Sequence, residues 1–122
     1  AGGHLSALTL FNPRSYQAID EIDTAACIPN FGVLIYAAYT MDNKSMVLDP
    51  LLLKTHKVPI YSAIGNRDKS FLPGLQKYTN LLLEKDYPVE HHVYNGIGHG
   101  VGLVGTAFQE SCETWLQKLK LP

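Results

Sequence analysis

Two short stretches carry residue types that could do acid–base chemistry. His99 stands in His-Val-Tyr-Asn-Gly-Ile-Gly-His-Gly-Val-Gly-Leu, residues 92–103, with glycines at 96, 98, 100 and 102. A glycine-rich loop at the end of a strand can hold an imidazole at a sheet edge without bulky neighbours. Its unperturbed pKa lies near neutrality, which suits a proton shuttle. The second stretch is Gly65-Asn66-Arg67-Asp68, which follows an earlier apolar run. An aspartate beside Asn66 and Arg67 can equally be a turn former or a surface ion pair. What favours chemistry is the order, acid and then histidine, at the ends of successive strands.

Other chemistry has weaker support. His91 and His92 could be pictured as metal ligands with His99, but adjacent strand residues point to opposite faces and no carboxylate stands at i, i+4 on a helix, so no metal is expected. Gly100-Val-Gly102-Leu-Val-Gly105 matches the dinucleotide pattern formally. The acidic residue about 20 positions on, at the end of a second strand, has no place to stand, so no nucleotide cofactor is expected. Ser6, Ser15, Ser45, Ser62, Ser70 and Ser111 lie in no Gly-x-Ser-x-Gly elbow. His4 is expected to be structural. Cys27 and Cys112 lie in apolar surroundings without ligand spacing and are expected to be two buried thiols.

The composition narrows the partners. The chain has 122 residues, 46% of them hydrophobic, and a formal net charge of -1. It therefore offers no basic surface for nucleic acid or anionic membrane. No signal peptide pattern or apolar run of about 18 residues is present, which leaves the localisation open. The first residue is Ala1, as in a processed or truncated product.

These residues need elements to position them. Gly2 to Phe11 reads as a helix with Leu5, Leu8 and Leu10 among small residues, stopped by Asn12-Pro13. Phe31 to Tyr36 is an uninterrupted apolar run, as a parallel strand buried on both faces requires. Tyr39 to Val58 reads as a connector, with a short helix at Asp49-Pro50-Leu51-Leu52-Leu53. A second strand spans Pro59 to Ile64. Pro73 opens a helix to about Lys85, with Leu75, Tyr78, Thr79 and Leu82 on one face. Val89, His91 and Val93 alternate with Glu90, His92 and Tyr94 in a third strand. Leu103 to Lys120 forms a last helix with Phe108, Cys112, Trp115, Leu116 and Leu119 on its stripe. Helices alternating with strands define an α/β fold with a parallel sheet, whose catalytic groups gather at the carboxyl ends of the strands.

With these motifs in order, the chain resembles the small carboxylesterases and acetyl-xylan-esterase-like enzymes of the α/β-hydrolase superfamily. Ala1-Gly2-Gly3-His4-Leu5 is similar to the segment after the nucleophile in their Gly-x-Ser-Ala-Gly-Gly-His-Leu elbow. Leu34-Ile35-Tyr36 with Thr40-Met41 is similar to their Leu-Ile-Tyr-Pro-x-x-Thr-Met segment. Gly65-x-x-Asp68 with Pro73 resembles their acid turn, and Gly98-His99-Gly100 with Gly102-Leu103 their histidine loop.

The resemblance implies that residues 1–122 are the C-terminal part of a single α/β-hydrolase domain of about 250 residues. It implies a serine esterase for short acyl esters, with acetylated carbohydrate one candidate substrate. Asp68 and His99 would be the acid and histidine of a Ser-Asp-His triad. Ala1 would offer its backbone N–H to the oxyanion, and Tyr36, Ala37, Tyr39 and Met41 would line the substrate pocket. The serine itself would precede Ala1, so this chain alone would be inactive. Its expected partner is the N-terminal half of the same hydrolase, or a copy of itself paired edge to edge. The alternative is a non-catalytic pseudo-hydrolase or interaction subunit.

Overall fold

The computed structural model describes residues 1–11, 16–25, 27–42, 44–48, 57–100 and 108–119. Three parallel strands form the main sheet: β1 (Gly32–Ile35), β4 (Ile60–Gly65) and β5 (Val89–Tyr94), in the order β1-β4-β5. Register runs from Gly32 opposite Ile60 and from Ile60 opposite Val89. Helices α1 (Gly2–Phe11) and α2 (Leu72–Glu84) cover one face, and α3 (Phe108–Lys118) covers the other. Parallel neighbours require crossover connections, and α2 supplies the one between β4 and β5.

The central strand is β4, with all six residues buried. On one side Ile60 and Ile64 meet Ala7, Leu10 and Phe11 of α1 and Leu75, Tyr78 and Leu82 of α2. On the other, Tyr61 and Ala63 meet Trp115 of α3. The α2 face formed by Leu75, Tyr78, Thr79 and Leu82 is buried as the sequence predicts. This helix stops where Asp86 adopts a left-handed φ of 59° and the Tyr87 N–H turns back to the Leu82 carbonyl.

Several expectations need correction. The outer strands are less enclosed than their sequences imply. In β1, Gly32 and Leu34 are buried against α1, but Val33 and Ile35 are only half-buried, because β1 is an edge and α3 covers that face incompletely. In β5 the expected alternation is blurred, with Val93 40% exposed, because this strand is the opposite edge. On α1, Leu5 faces solvent, and the helix buries Ala7, Leu10 and Phe11 instead.

The connector after β1 contains an antiparallel ribbon, β2 (Met41–Asp42) with β3 (Val47–Leu48). Asp42 closes its turn by accepting the Ser45 and Lys44 N–H groups, and these bonds, with that of the Ser45 hydroxyl, hold its pKa below the usual value. The short helix expected at 49–53 lies outside the described residues, as does the start of the last helix before Phe108. Leu116 is 37% exposed rather than on the buried stripe. Cys27 is exposed and Cys112 half-buried, so the two are free thiols but not both interior.

Candidate active site

The carboxyl ends of β4 and β5 run into two loops that are stapled together. Gly65 ends β4, and a Cβ there would lie 2.1 Å from the carbonyl oxygen of Ile97, so only glycine lets the second loop pass so close. Across this approach the Arg67 N–H donates to the Ile97 carbonyl (2.8 Å) and the Asn66 N–H to that of Tyr94 (2.9 Å). The Asn66 side chain adds two bonds, donating to Asn95 Oδ1 (3.0 Å) and accepting from the Gly96 N–H (2.8 Å). Gly96 and Gly100 have φ of 79° and 71°, conformations that favour glycine.

The staple brings Asp68 and His99 together. His99 Nδ1 lies 2.6 Å from Asp68 Oδ2. Asp68 is almost sealed, its side chain 2% exposed, whereas that of His99 is 42% exposed. The second carboxylate oxygen of Asp68 accepts the Phe71 N–H at 3.3 Å, and its backbone carbonyl accepts that of Leu72, so Asp68 also fixes the entry to α2. A carboxylate on Nδ1 selects the tautomer with the proton there and leaves Nε2 able to accept one.

Beside His99 lies a cavity of about 380 Å³ lined by Ala1, Gly2, Gly3, Ser6, Val33, Ile35 and Tyr36. Ser6 is the only serine on this wall. Its hydroxyl donates to the Gly2 carbonyl at 3.0 Å, a bond within its own helix. A second hollow of about 270 Å³, lined by Ser6, Thr9, Leu10, Pro29, Phe31, Gly32 and Val33, shares Ser6 and Val33 with the first. Together they form a trough between α1 and the free edge of β1.

The four residues expected to line a pocket separate. Tyr36 does line the cavity beside His99. Ala37 is fully buried, facing Gly3, where a Cβ would come within 2.7 Å of the Ala37 Cα. Met41 is 6% exposed and packs beside Gly74. Both are core residues, because α1 and α2 close over the segment after β1. Tyr39 is exposed and makes T-shaped, edge-to-face ring contacts with His4 and Phe71. Ala1 is exposed at the cavity rim, and its carbonyl accepts the Leu5 N–H.

The sequence reading missed Asn66, Asn95 and Phe71. Asn66 and Asn95 each follow the end of a strand, the one signal available for them.

The other histidines serve the sheet. His92 Nε2 meets both Glu90 Oε1 (2.8 Å) and Ser111 Oγ (3.2 Å). This trio has the composition of a triad, but acid and hydroxyl share one nitrogen, whereas a relay needs them on opposite nitrogens. Tyr61 donates to Ser111 Oγ at 3.0 Å and lies 3.2 Å from the Tyr94 hydroxyl, completing a network that ties α3 to the sheet. Burial pushes the Tyr61 hydroxyl above its usual range. His91, on the opposite face, places Nδ1 3.1 Å from Ser62 Oγ, and its buried Nε2 has no hydrogen-bond partner among the described residues. Burial, and then the neighbouring His92, push the His91 pKa down. Among the described residues no group of three His, Cys, Asp or Glu is placed to hold a metal ion.

The fold is α/β with a parallel sheet and helices on both faces, consistent with part of an α/β-hydrolase fold. It is similar to the acetyl ester-xyloside bifunctional hydrolase from Caldicellulosiruptor lactoaceticus, with a TM-score of 0.72 and 22% sequence identity. The match covers 96% of this chain and 53% of that one, so the chain spans about half the length of that structure. No family model matches the chain, and no curated protein matches it in sequence.

Proposed function

We propose that this chain supplies the acid and histidine of a serine esterase acting on short acyl esters. The observation that carries the reading is the 2.6 Å pair of Asp68 and His99 at the carboxyl ends of adjacent parallel strands, beside a cavity at the start of α1. His99 Nε2 takes the proton of an attacking hydroxyl and later returns it to the leaving alcohol, while Asp68 holds the tautomer and stabilises the imidazolium. On the resemblance of Ala1-Gly2-Gly3-His4-Leu5 to the segment after a nucleophile, the hydroxyl comes from a serine outside these 122 residues; among the described residues no hydroxyl is bonded to His99, and Ser6 is bonded within its helix. The start of α1 at Ala1 and Gly2 offers backbone N–H groups to a developing oxyanion. Acetylated carbohydrate is the first substrate to try, given the name of the structural neighbour.

The partner in this reading is the other half of the fold, seated in the trough. Gly32 and Tyr36 direct their N–H groups to β4, so those of the alternate residues Val33 and Ile35 point to the open edge. A strand running parallel to β1 there ends beside Ala1 and His99 and delivers its last residue to the imidazole. The test is hydrolysis of p-nitrophenyl acetate by the chain alone and by the chain joined to a serine-bearing complementary half. The chain alone should be silent and the completed protein active. Turnover by the chain alone, or a completed protein indifferent to His99→Ala, would refute the reading.

A further inference from the structure

Among the described residues the ring of His99 has one hydrogen bond, to Asp68, on a loop held by glycines. A single bond at Nδ1 fixes that nitrogen but leaves the ring free to swing about the bond, so Nε2 could equally face bulk water. Two aromatic rings remove this freedom. The Tyr36 ring lies 5.1 Å from the imidazole centre at 66°, and the Phe71 ring 5.0 Å away at 53°. They arrive from different elements, Tyr36 from the end of β1 and Phe71 from the residue before α2.

Both rings are themselves fixed. Tyr36 has a left-handed φ of 38°, a conformation a bulky residue keeps only where its surroundings enforce it. Its N–H donates to the Ala63 carbonyl at 2.6 Å, and the ring lies against Gly100 on the histidine loop. Phe71 donates its N–H to Asp68, and its ring is braced at 5.3 Å by Tyr39, also left-handed with φ 59°. The strain at Tyr36 and Tyr39 thus falls on the segment that carries one ring of the clamp and the brace of the other.

We infer that Tyr36 and Phe71 are positioning residues that clamp the His99 imidazole, so that Nε2 faces the cavity beside α1. The inference rests on the proposed role of His99 as proton carrier, but its test needs no turnover. With this chain ¹⁵N-labelled inside the completed protein, His99 should appear as a single Nδ1–H tautomer with an observable Hδ1 proton. Tyr36→Leu and Phe71→Leu, each shown to melt cooperatively, should exchange that proton at least tenfold faster, because a swinging ring opens the bond to water. Tyr36→Phe and Phe71→Tyr, which keep a ring, should behave like the parent. Should one leucine variant fail to fold, the other carries the comparison.

Folded leucine variants with the parental exchange rate overturn the clamp. Failure of the esterase reading would appear elsewhere, as a completed protein without His99-dependent hydrolysis while the NMR result stands. In an active completed protein, Phe71→Leu should lower kcat about tenfold with KM little changed, whereas Tyr36→Leu, which also alters the cavity lining, should lower kcat and shift KM.

Discussion

At the scale of residues, the Asp68–His99 pair makes a sharp demand. Asp68→Asn keeps the shape but offers Nδ1 the wrong partner, so in the completed protein kcat should fall by roughly 10⁴ while substrate binding changes little, as is typical when the tautomer is lost. Steady-state kinetics on an activated acetyl ester checks this.

His91 makes a different one. Its folded pKa lies below the value of 6.5 it has when free, so between those two values the unfolded chain binds the extra proton. Stability should therefore fall as pH drops from about 6.5 through the folded value, and His91→Phe should flatten that slope in urea titrations of the completed protein at pH 7.5, 6.5 and 5.5. The meeting of Asp68 and His99 was legible because glycines mark their loops at strand ends. Ala37 and Met41 were misread because their burial depends on α1 and α2 folding over them, which local sequence does not reveal.

At the scale of elements, the staple between the β4 and β5 loops is what makes the pair possible. Gly65→Ala places a methyl against the Ile97 carbonyl, and overpacking of this kind costs about 1–3 kcal/mol. Its distinguishing result is loss of the His99 Hδ1 resonance in a completed protein that still unfolds cooperatively. Asn66→Ala removes two exposed bonds and should cost about 1 kcal/mol in urea unfolding.

On the other face, Trp115 is the buried anchor of α3, and Trp115→Ala should cost about 3–5 kcal/mol, read by the same titration. The strands and helices themselves were legible from apolar runs and from Pro73. The β2–β3 ribbon was not, because two-residue strands lack a period, and the amide staple was not, because its partners lie 29 and 30 residues apart.

At the scale of the molecule, β1 is an apolar edge without lysine or proline within it, the kind of edge that recruits another strand. The chain alone should sediment as oligomer, aggregate or unfolded material. A monodisperse, cooperatively melting monomer would contradict the need for a complementary half.

The same topology has a consequence during synthesis. β1 leaves the ribosome well before its only partner in the described sheet, β4, because thirty residues separate Ile35 from Gly65. At about 5–20 residues per second, that interval lasts roughly 2–6 seconds. Throughout it, Val33, Leu34 and Ile35 have no described strand of this chain to pair with, a period in which nascent-chain chaperones can hold them. Ribosome-bound chains stalled with β1 emerged and β4 still inside the exit tunnel should accordingly be captured by such chaperones, and chains stalled with β4 emerged should be released.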